Sequence, residues 1–365
     1  MAAAGSRRLA GARWSRYCSE RFDLPDPVDD PRGFADRLES VLADGRFSVL
    51  LPGGDPALLA ILGARRRLEA LVKLGLPSDE AVRRSLSKTA LIEAAAAADL
   101  PAPRSIVCES LSDAESALAE IGLPLLVKPA QSVISLAGRL NQATATFVDG
   151  LASLPAAVAH CGLPCTLQRF EANRPVFSCG GVLAGKRMLG FAFSRYHRTW
   201  RPLVGKAAYS ETLVPPAGLE SKVCVLVTEL GWEGIFELEL VGDGAETFSA
   251  IDFNPRSYGS MSLAVRAGAN LPSIWCDWLL GHDPVPVRAR PEYRYRFEEA
   301  DLRYLGWQLG RGRVRAAASV LRPHRRTAHA FFQLNDPGPA AAETIWIASR
   351  AVRKAWIKLV AVFRG

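Results

Sequence analysis

Apolar and polar residues alternate most regularly along Gly234–Arg256, GIFELELVGDGAETFSAIDFNPR. Phe236, Leu238 and Leu240 alternate with Glu237 and Glu239, and a period of two puts both carboxylates on one face of a strand. Gly242-Asp243-Gly244 supplies a turn whose glycines are free to adopt φ > 0. In the next run, Thr247–Asn254, Asp252 and Asn254 share one face, while Ile251 and Phe253 take the other. A hairpin brings one of Glu237 and Glu239 opposite Asp252 and Asn254. Carboxylates clustered on a half-buried sheet repel one another unless a cation neutralises them, and oxygen-only donors suit Mg²⁺.

Elsewhere the pattern alternates between short apolar strands and amphipathic helices. The first forty residues read as irregular, with arginines among small residues and the helix breaker Leu24-Pro-Asp-Pro-Val28. A helix is expected over Phe34–Leu42 and a buried strand over Phe47–Leu51. Pro52-Gly-Gly-Asp55 then turns into a helix Pro56–Leu71 with Asp55 as N-cap. This turn could seat an anion, a plain structural turn being the simpler reading. It lacks the GxxxxGK spacing of a phosphate-binding loop. One α/β unit is too little for a doubly wound domain, so the expectation is that a first βα unit is absent or lies upstream. A helix opens at Ser87-Lys88, and strands are expected over Ser105–Cys108, Leu123–Pro129, Ala143–Phe147, Thr166–Phe170, Val176–Leu183 and Arg187–Ser194. Helices Ser112–Ile121, Gly150–His160, Leu219–Leu230, Met261–Ala267 and Ile274–Leu280 intervene or follow. Gln131–Leu140 reads as a polar loop. Arg195, Arg198, Arg201 and Lys206 read as a basic loop ending near Gly205.

Composition narrows the class. A chain of 365 residues with 49% hydrophobic and 22% charged positions is ordinary globular material for two or three domains. The seven cysteines form no CxxC pair, and Cys161 and Cys165 have only His160 near them, so reduced thiols in a cytoplasmic protein are the plain reading. No secretory signal and no apolar run of spanning length are visible. The net charge of +8 is uneven. Residues 285–365 hold 14 Arg and 2 Lys against 6 Asp or Glu, a net of +10, which leaves −2 for residues 1–284.

Two features outside the hairpin bear on chemistry. Lys128 sits in an otherwise apolar strand, LLVKPA, where a lysine is costly unless it snorkels from an edge or meets an anion. The basic loop with Arg198 and Arg201 is either a solvated surface or, within reach of phosphates, a charge clamp.

Together these pieces resemble the ATP-grasp superfamily over roughly residues 45–285. The resemblance is carried by Lys88 at a helix start followed by Leu-Pro-Ala-Pro, by LLVKPA, by LQRF, and most specifically by GIFELEL…AIDFNPRSYGS. It implies an α/β, ATP-grasp fold with a partial, N-terminally shortened α/β domain at 1–86. An ATP-grasp domain at 87–284 would follow (lid about 105–170, metal and ATP floor about 171–284), then a basic helical extension at 285–365. It implies an ATP- and Mg²⁺-dependent ligase, with Mn²⁺ an alternative ion, that activates a small-molecule carboxylate as an acyl phosphate and joins it to an amine. Lys88 and Lys128 would hold the phosphates. Gln168, Arg169 and Phe170 would lie at the adenine and Glu171 near the ribose. Glu239, Asp252 and Asn254 would hold the metal, with Glu237 the fallback for Glu239. Arg256 would sit by the γ-phosphate or the acyl phosphate. Asp252 replaces the usual glutamate, and the segment after Lys128 is less glycine-rich than the usual lid. Phosphoryl or carboxyl transfer without amide formation, and a nucleotide-binding scaffold without turnover, are the other readings.

The tail lies outside the resemblance. Tyr293–Phe297 alternates like an edge strand, Arg311–Arg326 is an arginine-rich helix or loop, and Glu343–Phe363 reads as a helix. That helix carries Ile345, Val352, Trp356, Leu359 and Phe363 on one face, with Arg350, Arg353, Lys354 and Lys358 around the others. Its stripe would dock on the protein's own core or lie on an anionic membrane or acidic partner, docking being the plainer expectation, with the inner membrane surface as the peripheral location. No nucleic-acid partner is expected, because no binding motif accompanies the charge.

Overall fold

The computed structural model describes all residues except 132, 137–138, 142–143, 173, 203–204, 245–246 and 364–365. The chain begins with β1 (Ala2–Gly5), the short helix α1 (Gly11–Trp14) and β2 (Glu20–Asp23), and β1 and β2 pair in parallel. The first residues are therefore structured, against the expectation of an irregular stretch. The buried Arg13 explains why, since its Nη1 donates to Gly5 O at 3.0 Å and Phe22 O at 3.2 Å, one carbonyl on each strand. Next come α2 (Pro31–Leu42), capped by Asp30, then α3 (Asp55–Gly63), α4 (Arg65–Glu69), α5 (Asp79–Leu86) and α6 (Lys88–Ala97).

Three local expectations fail in this region. Phe47–Leu51 forms no strand, and Val49 makes one isolated bridge to Lys73. The helix expected over Pro56–Leu71 breaks into α3 and α4 after Gly63. Gly54, not Asp55, is the N-cap of α3, because the Asp55 side chain is drawn away to an arginine described below.

A separate α/β layer follows: β3 (Ser105–Cys108), α7 (Leu111–Ile121), β4 (Leu125–Pro129), β5 (Ile134–Leu136), β6 (Arg139–Asn141), β7 (Thr146–Val148), α8 (Leu154–Cys161) and β8 (Cys165–Arg169). Its antiparallel sheet runs β3-β8-β4-β7, and it buries its own apolar cluster around Ala117, Leu125, Leu154 and Leu167. The expected polar loop after Lys128 contains the β5–β6 pair, and Ala143, where a strand was expected to begin, lies outside the described residues.

The large sheet is built from β9 (Val176–Ala184), β10 (Arg187–Trp200), β11 (Lys206–Thr212), β12 (Gly234–Val241) and β13 (Ser249–Asn254), with α9 (Leu219–Glu229), α10 (Met261–Arg266) and α11 (Leu271–Leu279) against it. The tail supplies β14 (Val287–Arg288), β15 (Arg294–Arg296), α12 (Glu298–Leu309), α13 (Val314–Val320), β16 (Thr327–His329) and α14 (Gly338–Phe363). The strand order is β13-β12-β9-β10-β11-β15-β16, with β14 pairing β10. The tail is thus not only helical. Tyr293–Phe297 contributes an interior strand, because β16 covers the side that alternation alone leaves open. Nor is the basic segment a loop, since Arg195 and Arg198 lie on β10 and Lys206 on β11, held by antiparallel pairing.

The core of this sheet joins the α6 alanines, Leu58, Leu226, Phe236 and Leu238, so α3, α5 and α6 share one core with the acidic hairpin's apolar face, while α2 and α4 pack in a separate cluster. Leu58, Leu226, Phe236 and Leu238 are fully buried side chains, each contributing about 1.5–3 kcal/mol by removal from water.

Candidate active site

The register of β12 against β13 pairs Glu237 with Asn254 and Glu239 with Asp252, so both glutamates, and not one, face the second strand's ligands. A bulge then follows between Glu239 and Leu240. On the other side, Glu237 opposes Gly180 and Glu239 opposes Ser178 of β9. Gly180 is required there, because a Cβ would stand 1.9 Å from the Tyr258 hydroxyl lying across the strand.

Two lysines reach this face from remote parts of the chain. Lys88, the first residue of α6, pairs with Asp252, and the Lys128 Nζ on β4 donates to the Ile251 carbonyl at 2.8 Å. Burial lowers the Lys128 pKa, helped by Lys88 and opposed by Asp252, to about 8. Lys128 is therefore a buried cation aimed at β13 and not an edge lysine that snorkels.

The carboxylates differ in how they are held. Glu237 is buried and accepts from Ser178 Oγ at 2.8 Å, Tyr196 Oη at 3.1 Å, Asn254 Nδ2 at 3.2 Å and Ser260 Oγ at 3.4 Å. Glu239 is half-buried, with Tyr196 Oη at 3.0 Å. Burial, then Glu237 and Asp252, push its pKa up to about 8. Burial also acts to raise Asp252, but Lys88 and Lys128 overcome it, and its pKa is lowered.

Among the described residues, no three His, Cys, Asp or Glu side chains converge into a ready-made metal cage. The reason is visible, since Asp252 is turned to Lys88, Glu237 to its hydroxyl donors, and Asn254 is an amide. The donor set still fits a hard cation. It is all oxygen, and Glu239 is a half-buried carboxylate held above its usual range by burial and by the neighbouring Glu237 and Asp252, a repulsion that a cation would relieve.

Arg256 is held from outside the sheet. Its guanidinium pairs with the buried Asp55 of α3 and donates to Asn254 Oδ1 and Ser257 O, both at 3.0 Å. The Pro52–Asp55 turn thus serves as the anchor of Arg256.

Between the two sheets lies a cavity of about 340 Å³. One wall is Leu126, Lys128 and Gln168–Glu171, and the other is Val176, Arg195–Thr199, Val241 and Ile251. Asp252 and Glu239 lie outside this lining; Tyr196 Oη joins Glu239 to it, and Asp252 follows Ile251, whose carbonyl accepts from Lys128. Of the residues expected at the adenine, Gln168 turns its amide into the sheet, donating to Ser105 Oγ at 2.9 Å. Arg169 is exposed, and Phe170 packs edge-on against Phe147 at 5.0 Å. Glu171 pairs with Arg174 at 3.3 Å, and Arg174 also binds Asp243 at 3.1 Å and Thr247 O at 2.7 Å, joining the strand linker to the hairpin turn.

The two clamp candidates part company. Arg198 lines the cavity, but its guanidinium is already bound by Asp301 of α12, with Nε at 2.9 Å and Nη2 at 2.8 Å. Arg201 is exposed and outside the lining. Tyr196, Ser178, Arg174 and Asp301 carry no local sequence signature, and the signature of Asp55 is that of a cap and not of an arginine partner. Only the alternation of strand β10, had it been read past Ser194, would have put Tyr196 on the face of Ser194.

The four-stranded sheet, the larger mixed sheet and the helices between them are shared as a fold with a group of solved enzyme structures. The chain has the ATP-grasp fold. It is similar to N5-carboxyaminoimidazole synthetase from Staphylococcus aureus in complex with ADP (TM-score 0.59, 11% identity, 80% of this chain and 73% of that one). It is also similar to the biotin carboxylase domain of Hydrogenobacter thermophilus 2-oxoglutarate carboxylase with MgADP and bicarbonate (TM-score 0.61, 15%, 80% and 68%). L-amino acid ligase from Bacillus licheniformis is a third (TM-score 0.55, 17%, 76% and 68%). No family model matches the sequence, and no curated protein matches it.

Proposed function

We propose that this protein is an ATP- and Mg²⁺-dependent ligase that activates a carboxylate as an acyl phosphate and couples it to an amine. The observation that carries the reading is the convergence of Lys88 and Lys128 on the strand bearing Asp252 and Asn254, at the edge of a cavity between two sheets. Binding of a nucleotide alone would not require a second strand of carboxylates or an arginine held by a buried aspartate.

In this reading the nucleotide occupies the cavity, with the base near Gln168–Phe170 and the ribose near Glu171. Lys88 and Lys128 hold phosphate oxygens, Lys88 exchanging Asp252 for them. Glu239, Asp252 and Asn254 would hold Mg²⁺, or Mn²⁺, while Glu237 orients Asn254 and keeps its hydroxyl donors. The bound ion would supply charge neutralisation on the phosphates. An oxygen of the substrate carboxylate attacks the γ-phosphorus, the bond to the bridging oxygen breaks, and ADP leaves. Arg256, fixed by Asp55, offsets negative charge on the transferred group. The amine then attacks the acyl carbon, the C–O bond to phosphate breaks, and the amine nitrogen loses a proton. Positioning and exclusion of water account for most of the rate, so no enzyme nucleophile is needed.

A carboxylation reading has one specific support, since two of the similar structures are a carboxyaminoimidazole synthetase and a biotin carboxylase domain holding bicarbonate. Bicarbonate is then the acid, activated by the same phosphoryl transfer. The deciding experiment incubates the protein with ATP, Mg²⁺ and pools of acids, bicarbonate included, and amines. Phosphate release that needs both an acid and an amine supports the ligase, and release with bicarbonate in place of every organic acid supports carboxylation. ATP binding with no substrate-stimulated ADP in any pool would sink both and leave a nucleotide-binding scaffold.

A further inference from the structure

The long C-terminal helix α14 carries an uncovered apolar stripe flanked by cations, and we propose that this surface binds the face of an anionic phospholipid bilayer. The root of the helix is firmly held. Asp336, buried just before it, accepts from Ser15 Oγ at 2.6 Å and from the Arg16 amide at 2.9 Å. Glu343, also buried, pairs with Arg7, whose guanidinium lies 4.4 Å from the Trp346 ring centroid. The first turns are thereby fastened to the N-terminal segment around α1, which gives the rest of the helix a fixed base.

Three of the five stripe residues expected to dock on the protein's own core are not docked, and the side chains of Leu359 and Phe363 lie outside the described ones. Ile345, Val352 and Trp356 are 56%, 69% and 65% exposed. Their spacings of seven and four residues put them on one line along a helix. Arg350 and Arg353, beside that line, are exposed and take part in no ion pair among the described residues. Beyond Glu343 the sequence contains Arg350, Arg353, Lys354, Lys358 and Arg364 and no acidic residue.

Charge complementarity selects the occupant. A second copy of this helix would set cations against cations with no acidic group to pair them. An anionic lipid surface offers them phosphates and gives the indole of Trp356 the amphipathic boundary it favours. The helix lies on the surface and does not cross it, since no helix among the described residues is long and apolar enough to span a bilayer.

The test is co-sedimentation of the full chain with extruded vesicles of phosphatidylcholine alone or with phosphatidylglycerol, at low and high salt. Binding should need phosphatidylglycerol and weaken at high salt. Each cation near such a surface contributes about a fivefold gain, so Arg350→Gln with Arg353→Gln should weaken binding about 25-fold. Val352→Asp with Trp356→Ala should abolish it, while far-UV circular dichroism shows the fold kept. Failure to sediment with phosphatidylglycerol vesicles at low salt overturns the proposal, as does binding that survives both double variants. A dimer in sedimentation velocity that Val352→Asp with Trp356→Ala dissolves would assign the stripe to a second copy and overturn it too.

Discussion

Asp301→Asn separates the two roles open to Arg198, which was expected on sequence grounds to clamp phosphate and is found bound to a carboxylate. Asp301 is 3% exposed at the side chain, holds Arg198 through two hydrogen bonds of 2.9 and 2.8 Å, and has Arg296 Nε 3.0 Å from its second oxygen. Asparagine keeps the size and one acceptor, yet leaves two guanidiniums, 10% and 18% exposed, facing each other without the anion between them. Removing one partner of a buried pair costs about 3–5 kcal/mol, mainly because the other charge is stranded. Two features place this case at the low end. Arg296 also donates to Arg322 O at 3.1 Å, and Arg198 lies 4.2 Å over the Tyr209 ring, a contact worth roughly 0.5–1 kcal/mol. The expected loss is therefore about 3 kcal/mol, read from denaturant unfolding followed by tryptophan fluorescence. Arg198→Gln should also destabilise, by about 2 kcal/mol, with a small change in KM for ATP. The double variant should lose less than the sum, because both single changes break the same pair. A loss under about 1 kcal/mol for Asp301→Asn, or strict additivity, would refute the structural role. Unchanged stability in Arg198→Gln with a large rise in KM for ATP would return Arg198 to the phosphate.

Other consequences follow from the same contacts. Asp252→Asn or Asn254→Ala should reduce ADP formation by about a hundredfold or more while leaving the circular dichroism spectrum unchanged, and near-normal turnover in either would remove the hairpin from the chemistry. Asp55→Ala should cost about 2 kcal/mol, since Arg256 keeps Asn254 and Ser257 as partners, and should lower kcat more than it raises KM for ATP. Glu239 links stability to pH in the metal-free protein. Its folded pKa, about 8, lies above the unfolded value near 4.3, so its contribution is complete below about pH 4 and is lost as pH rises through about 8. Lys128 acts with the opposite sign, its lowered pKa adding stability only above about pH 8. Above about pH 6.5, where the lowered His197 and His324 no longer add stability with rising pH, unfolding of chelated protein should show a loss of about 0.5–1 kcal/mol by about pH 7.5, with the raised Glu237 acting in the same direction, and Mg²⁺ should abolish that slope. A flat profile without metal would contradict this.

The legible parts of the chain were those whose pattern is local. Alternation placed Glu237, Glu239, Asp252 and Asn254 on their faces because the strand repeat is two residues whatever the partner. The Ser87 cap fixed the start of α6, and with it the direction of Lys88. What could not be read was set by neighbours far along the chain. Asp55 looks like an N-cap until Arg256, 201 residues on, claims its carboxylate. Tyr196 looks like one polar residue in a basic stretch until β9 and β12 bring two glutamates to its hydroxyl. The candidate metal ligands are legible as oxygen donors on one sheet face but not in their resting arrangement, because pairing of Lys88 with Asp252 is settled by which charges are nearby and not by spacing.

The tail shows the same division at larger scale. Its net charge of +10 invites a reading as a detached basic surface, yet several of those arginines face carboxylates of the structured body or of the tail itself. Arg288 pairs with Glu220, Arg294 with Glu211 at 2.9 Å, and Arg296 shares Asp301 with Arg198. These pairs are possible only because β14 and β15 extend the sheet that carries the cavity wall, so the tail's charge is partly consumed in bracing β10 and β11. In α14, by contrast, the exposed Arg350 and Arg353 accompany the exposed Val352 and Trp356, with no acidic residue in the sequence after Glu343. Composition cannot distinguish the two halves. Strand pairing does, and it separates arginines paired with carboxylates around β10 and β11 from Arg350 and Arg353, which make no ion pair among the described residues.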